Sequence, residues 1–232
     1  MAKHTNLMVE GLKKSTEELQ QTRDITILSL ASLAETRDNE TGNHIIRTQL
    51  YVRALAVHLQ EHPDFKDYLS DDIVELLHKS APLHDIGKVG IPDHILLKPG
   101  KLSEDEFEIM KSHTTLGGSS LEIAADRLGT NSFLNLAREI ALTHHERWDG
   151  KGYPLGIKGD DIPISGRLMA VADVYDALIS KRVYKEAFSH DKACRIITEW
   201  QGVNFDPRMV KAFFAIEDQF LEIAGEFQDN TT

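Results

Sequence analysis

Apolar positions in this chain recur at three- and four-residue steps, and no stretch keeps the strict alternation of a half-buried strand. Residues 7–37 carry Leu12, Leu19, Ile25, Leu28 and Leu33 at loosely helical spacing among charges and glutamines. The first part of this segment is too polar to fold alone. It reads as a connecting helix, paired with a copy of itself or left as a solvated arm. Ser70-Asp71-Asp72 predicts a helix start, and Ile73, Leu76, Leu77 and Ala81 supply the apolar stripe. Pro82 near the end of that helix predicts a kink. Ser103 and Glu106 have capping-box spacing and open a helix expected to carry Phe107, Met110 and His113. Residues 132–146 repeat the theme, with Leu136, Ile140 and His144 at i+4 steps. The glycines and prolines of "RWDGKGYPLGIKGDDIP" predict a long ordered loop, and a final strong helix is expected through "SGRLMAVADVYDALIS". The pattern is all-α, without internal repeats or low-complexity segments.

A chain of 232 residues has room for one sizeable domain and an appendage. The net charge of -11 argues against broad binding to DNA or to an anionic membrane, so an anionic substrate would need locally placed cations. The single cysteine, Cys194, excludes an internal disulfide and a Cys-rich zinc site, and reads as a small hydrophobe. No apolar run reaches the length of a membrane span and no signal-peptide pattern opens the chain, so a cytoplasmic domain is expected.

The chemistry lies in the histidines, of which there are 11. His44 follows Glu40 by four residues in "ETGNH", so a helical turn would project both from one face. His84-Asp85 and His144-His145 are adjacent pairs at or near helix ends, and His113 sits one turn from Met110. Asp173 lies at helical spacing from Met169, Ala170 and Ala177, an apolar face on which a carboxylate needs a partner. Singly, each has an ordinary reading. That reading is kept for His58, His62, His78, His94 and His190 as satisfied core or surface residues, and for His4 as a tail residue.

Jointly, Glu40, His44, His84, Asp85, His113, His144, His145 and Asp173 make eight candidate metal ligands. One first-row ion takes about four to six. Sequence neighbours on a helix also diverge by about 100°, which suits adjacent ions better than a shared one. The doubled ligands therefore imply at least two metals, with Asp85 as the natural bridge. The donors mix imidazole with carboxylate and include no soft ligand, which suits iron or manganese, with zinc, cobalt or nickel also compatible.

These residues resemble the HD superfamily of metal-dependent phosphohydrolases: His84-Asp85 is the eponymous pair, His44 its first histidine and Asp173 its closing aspartate. More specifically, "HDIGKVGIPDHILLKPGKL", "HHERWDGKGYP" and "AVADVYDALIS" look like the HD-GYP subfamily, with Gly152-Tyr153-Pro154 as the GYP. The likeness covers residues 24–215 and divides the chain into a connector, 1–23, and a domain, 24–232. It implies an all-α helical bundle acting as a phosphodiesterase on cyclic di-GMP, giving linear pGpG and then GMP. It also implies a di- or trinuclear centre, three metals being favoured because a glutamate at the position of Glu40 goes with the third, with iron ahead of manganese.

By the same resemblance, Lys88 is the lysine beside the metals, catalytic together with Asp85, and Arg182 and Lys185 of "SKRVYK" grip the substrate's phosphates. Val183 stands where the family often has Pro and Lys151 where it often has Ser, and neither is a ligand. The partners implied are an upstream receiver domain, a GGDEF-type protein docking on the GYP loop, and a second copy of the chain. Metals lower the pKa of bound water and, with the three cationic side chains, neutralise phosphoryl charge. Three rival readings remain: a non-catalytic cyclic di-GMP sensor, a mononucleotide phosphatase, and an enzyme for another cyclic dinucleotide such as cyclic GMP-AMP. The full ligand set argues against the first, and the GYP loop with "SKRVYK" against the second.

Overall fold

Each apolar stripe becomes a helix that buries it. Helix α1 (Ala2–Glu35) is a single 34-residue helix. It leaves Met8, Val9, Leu12 and Leu19 exposed, but from Ile27 and Leu28 onward it packs on the rest of the chain and buries Ala31, Ala34 and Glu35. Helix α2 (Gly42–Leu59) buries Ile45, Val52, Leu55, Ala56 and Leu59 along one side. These elements come from a computed structural model that describes residues 2–38, 42–128, 132–181 and 186–228. Glu40, Arg182 and Lys185 lie outside the described residues. Among the described residues the architecture is all-helical, with one isolated bridge between Gln201 and Phe205 as its only β pairing. No helix among the described residues is long and apolar enough to cross a membrane.

Helix α3 (Asp71–Ser80) opens where the sequence placed it, with the Ser70 side chain accepting from the Ile73 amide. The kink expected at Pro82 takes the form of a switch to a 3-10 turn, Ala81–Leu83, followed by a second, Ile86–Gly90. After the one-turn α4 (Asp93–Leu96), α5 (Glu104–Lys111) starts with both halves of the capping box formed between Ser103 and Glu106. Its end corrects the sequence reading. His113 does not ride on α5 but opens α6 (His113–Leu128). Ser112 Oγ donates to the Ile109 carbonyl and His113 Nδ1 to that of Met110, so side chains occupy the last carbonyls of α5 and the chain turns.

Helix α7 (Ser132–Thr143) ends just before the His144-His145 pair. Helix α8 (Ile164–Ile179) is buried over most of its surface, as a central helix must be. It is not the final helix: α9 (His190–Glu199), α10 (Pro207–Ala215) and α11 (Glu217–Glu226) follow. Each is nine or ten residues long, and Ser189 and Asp206 cap α9 and α10.

The main core joins Tyr51, Leu55, Phe65, Leu77, Leu168, Val171, Tyr175, Phe213 and Phe220, and Tyr51 stacks on Phe220 at 4.4 Å. Fully burying such side chains stabilises by about 1.5–3 kcal/mol each. A second cluster joins Ala31, Ile45, Leu83, Leu121, Phe133, Ala137 and Ala141. Helices α2 and α7 contribute to both clusters.

Candidate metal centre

His84 and Asp85 occupy the corner between the two 3-10 turns, not a regular helix. Neighbours that would diverge on a helix here reach into one space, with His84 Nε2 3.4 Å from Asp85 Oδ2. The corner is pressed against the start of α6, and Gly87 permits it: a Cβ there would lie 1.9 Å from the His113 carbonyl oxygen. Asp85 Oδ1 consequently lies 3.2 Å from His113 Nε2 and 3.4 Å from His144 Nε2, while Oδ2 is 2.7 Å from Lys88 Nζ.

The imidazoles are oriented from behind. Nδ1 of His84 donates to the Ala81 carbonyl at 2.9 Å, that of His113 to Met110 at 2.7 Å, and that of His144 to Ile140 at 3.0 Å. With the proton on Nδ1, each Nε2 presents a lone pair to the centre. The Nε2 atoms of His84, His113 and His144, and Oδ1 of Asp85, are buried and have no hydrogen-bond partner among the described residues. Acceptors facing acceptors at 3.2–3.4 Å repel unless a cation or a proton stands between them. Four such atoms in one place fit a metal centre.

The donors fall into two groups, each with its ligand atoms within 4.8 Å of one another: Asp85, His113, His144 and His145, and then Glu35, His44 and His84. Asp173 joins the second group, with Oδ1 3.8 Å from His44 Nε2. Asp85 and His84 thus serve neighbouring groups from adjacent positions.

Three carboxylates in this region were missed in the sequence. Glu35 is buried on the α1 face shared with Ala31 and Ala34, its Oε1 3.9 Å from His44 Nε2. A carboxylate among small apolar positions was the signal that singled out Asp173, and it was present here too. Asp176 lies 2.8 Å from His44 Nδ1 and accepts from Arg47 Nε at 2.6 Å and Nη2 at 2.9 Å. Asp38 accepts from Lys88 Nζ at 2.7 Å.

Electrostatics follow from this packing. Burial works against ionising Asp85, yet the Lys88 ammonium and the surrounding imidazoles hold its carboxyl well below the usual range. Burial pushes His84 down to about 4, and burial with the neighbouring His144 pushes His145 well down, leaving both imidazoles neutral. Burial opposes protonation of His144 as well, but the facing Asp85 carboxylate raises it: a proton fills the place a cation would take.

The glycine-rich loop forms one wall. Tyr153 stacks on His145 with centroids 4.7 Å apart, and its amide donates to the His145 carbonyl at 3.3 Å. At Gly152 a Cβ would lie 2.3 Å from the Arg147 nitrogen, so the chain can double back this tightly only without a side chain. Glu146 then anchors the loop by accepting from the amides of Leu155 at 2.7 Å and Gly156 at 3.2 Å.

A family model described as HD domain matches residues 30–209. The chain belongs to the HD domain family. This HD domain is 59% identical over 225 residues to a cyclic di-GMP phosphodiesterase of Vibrio cholerae, covering 97% of this chain and 46% of that protein. It is 40% identical to the cyclic di-GMP phosphodiesterase response regulator RpfG of Xanthomonas campestris, covering 94% of this chain and 54% of the regulator. The chain therefore spans about half the length of these curated relatives. Among solved structures, a cyclic GMP-AMP-specific phosphodiesterase of V. cholerae superposes with a TM-score of 0.62 at 18% identity, over 89% of this chain and 51% of that one, which is a likeness of fold. The all-helical HD fold and the family resemblance read from the motifs are borne out, and the buried His/Asp clusters are consistent with the metal centre of an HD domain.

Proposed function

We propose that this HD domain is a metal-dependent phosphodiesterase that opens cyclic di-GMP to linear pGpG and then cuts the product to GMP. One observation carries the reading: Asp85 Oδ1 and three buried Nε2 atoms face each other without hydrogen bonds, beside the ammonium of Lys88. His113, His144 and His145 would hold one ion, His84 and Asp173 its neighbour, and Asp85 would bridge them. Bound metals supply an activated water nucleophile and draw charge from the phosphoryl oxygens. Lys88, steadied by Asp85 and Asp38, offers its ammonium to the charge that develops on phosphorus oxygens during in-line attack. Arg182 and Lys185 grip the phosphates, each charge-assisted contact being worth about 1.5–3 kcal/mol.

The ions are assigned as iron, or failing that manganese, from the imidazole and carboxylate donors. Three are favoured, with Glu40 and His44 holding the third. Anaerobically prepared Glu40→Ala should then carry about one ion fewer per chain, and equal metal content would reduce the centre to two. The deciding experiment is anaerobic reconstitution with Fe(II) or Mn(II), followed by product analysis on cyclic di-GMP and cyclic GMP-AMP. Formation of pGpG and GMP supports the reading. Faster turnover of the mixed ring would replace the substrate, and tight binding of cyclic di-GMP without turnover would make the domain a sensor.

Residues 1–23 are assigned as the connector from an upstream receiver domain, since one relative is a response regulator. The exposed Met8, Leu12 and Leu19 suit pairing of α1 with a second copy, and the exposed Leu155 of the GYP loop suits docking of a GGDEF-type protein.

A further inference from the structure

Away from the central cluster, the start of α9, the start of α11 and the middle of α8 bring together a group of residues that the sequence reading left as ordinary. His190 and Cys194 stand one turn apart on α9, and Glu217 is the first residue of α11. We propose that His190, Cys194 and Glu217 form a separate site for zinc, or a divalent ion of similar softness, with water as its fourth ligand.

The distances suit this. Cys194 Sγ is 3.4 Å from His190 Nε2 and 3.6 Å from Glu217 Oε2, and Nε2 is 3.9 Å from that same oxygen. Tetrahedral zinc, with bonds of about 2.3 Å to sulfur and about 2.0–2.2 Å to nitrogen and oxygen, sets its ligands about 3.3–3.6 Å apart. Sγ also lies 3.9 Å from Nδ1, so capture requires a small turn of the thiol or the imidazole. Neither group is locked in the core, and the site is open enough for an ion to enter.

The imidazole is prepared for the role. The fully buried Tyr175 places its hydroxyl oxygen 2.9 Å from His190 Nδ1. When that oxygen accepts from Nδ1–H, the lone pair falls on Nε2, toward the thiol and the carboxylate. The charge balance also suits a divalent cation, because a thiolate and a carboxylate together neutralise it. The positive N-terminal ends of α9 and α11 oppose a cation weakly, and Asp191 and Asp218 in those first turns offset them. Burial, Glu217 and Asp191 together push the Cys194 thiol up to about 12. On capture the S–H bond breaks, its proton passes to solvent and a sulfur–metal bond forms, so affinity rises with pH. Three protein ligands and an open position make an exchangeable site. Tyr175 links it to the helix that also sends Asp173 and Asp176 to the central cluster.

Cobalt(II) gives a clean test, because Cys194 is the chain's only cysteine and the central cluster offers no sulfur. Titration of the intact protein with Co(II) should develop a thiolate-to-cobalt charge-transfer band that saturates at one ion per chain. Zinc should bleach it, and Cys194→Ser should abolish it while visible absorption from cobalt in the central cluster persists. His190→Gln and Glu217→Gln should each weaken the ion responsible for the band by at least about tenfold, with far-UV circular dichroism reporting that the variants remain folded. Central-cluster absorption without a thiolate band in the parent would overturn the proposal. So would a band indifferent to both His190→Gln and Glu217→Gln, since the thiol would then bind cobalt unaided.

Discussion

Around Asp85 the imidazoles are held from behind by backbone carbonyls, and their inward nitrogens are buried away from any hydrogen bond. Around Cys194 the imidazole is held by one tyrosine, while thiol and carboxylate remain within reach of solvent and of each other. Holding metal-type donors together therefore carries a different cost in the two places. Desolvated acceptors facing one another raise the energy of the fold until a cation or proton joins them, so the central cluster couples metal to stability. The peripheral group satisfies itself without an ion, so it should hold one more weakly and stabilise the fold less when filled.

The largest effect expected is chemical. Asp85→Asn keeps the shape but removes the charge that faces His84, His113 and His144, and should lose metal and turnover together. The loss should exceed the roughly 10–100-fold typical of groups that only orient ligands. Elemental analysis and hydrolysis assays check this, and full metal content with near-normal turnover would refute the bridge.

Removing the metals by chelation should come next. A ligand at about 1,000 times its Kd stabilises by about 4 kcal/mol. For a chain of this size that corresponds to roughly 8–16 °C in melting temperature. Cys194→Ser should shift the holo protein by far less. A chelation shift of similar size to that substitution would erase the contrast between the two sites.

Gly87→Ala tests how tightly the corner must press on α6. The added Cβ meets backbone that cannot rotate aside, so the cost should sit near the upper end of overpacking, about 3 kcal/mol, with loss of bound metal. Gly11→Ala in α1, where nothing lies within 4 Å, should instead stabilise slightly, by about 0.5–1 kcal/mol. Thermal melts of the two variants read the difference directly.

Tyr153→Ala removes the ring stacked on His145 and should cost about 0.5–1.5 kcal/mol beyond lost burial. Limited proteolysis should then cut the loop faster while metal content holds. Complete loss of metal would make the loop part of the centre.

The smallest effect concerns Glu106, whose carboxyl is drawn from 4.5 to about 2 by Lys98 and by the Ser103 amide. A depressed carboxyl contributes stability that is present above its unfolded pKa and is lost as pH falls through the folded value. Glu106→Gln should therefore flatten the pH dependence of stability between about 4.5 and 2.

Much of this protein could be read from the order of its residues. The all-α class follows from apolar spacing, and the starts of α3 and α5 from Ser70 and from the Ser103–Glu106 pair, because caps and stripes are local. The paired histidines and carboxylates of the sequence flagged the donors that the fold gathers into buried His/Asp clusters. Chain order also marked the loop, through glycines whose missing side chains allow the close return at Gly152.

Tertiary structure decided the rest. The break that puts His113 at the head of α6 comes from side chains competing for carbonyls, a contest that apolar periodicity does not register. Asp38 and Asp176 enter the site from positions distant in sequence from the groups they serve, Asp38 lying 50 positions from Lys88 and Asp176 132 from His44. Cys194 meets Glu217 across 23 residues, although each alone reads as ordinary. Local pattern determines which residues are helical and which faces are apolar. Which polar groups then share a space depends on how the helices pack, and packing is set by long-range contacts that leave no periodic trace in the chain.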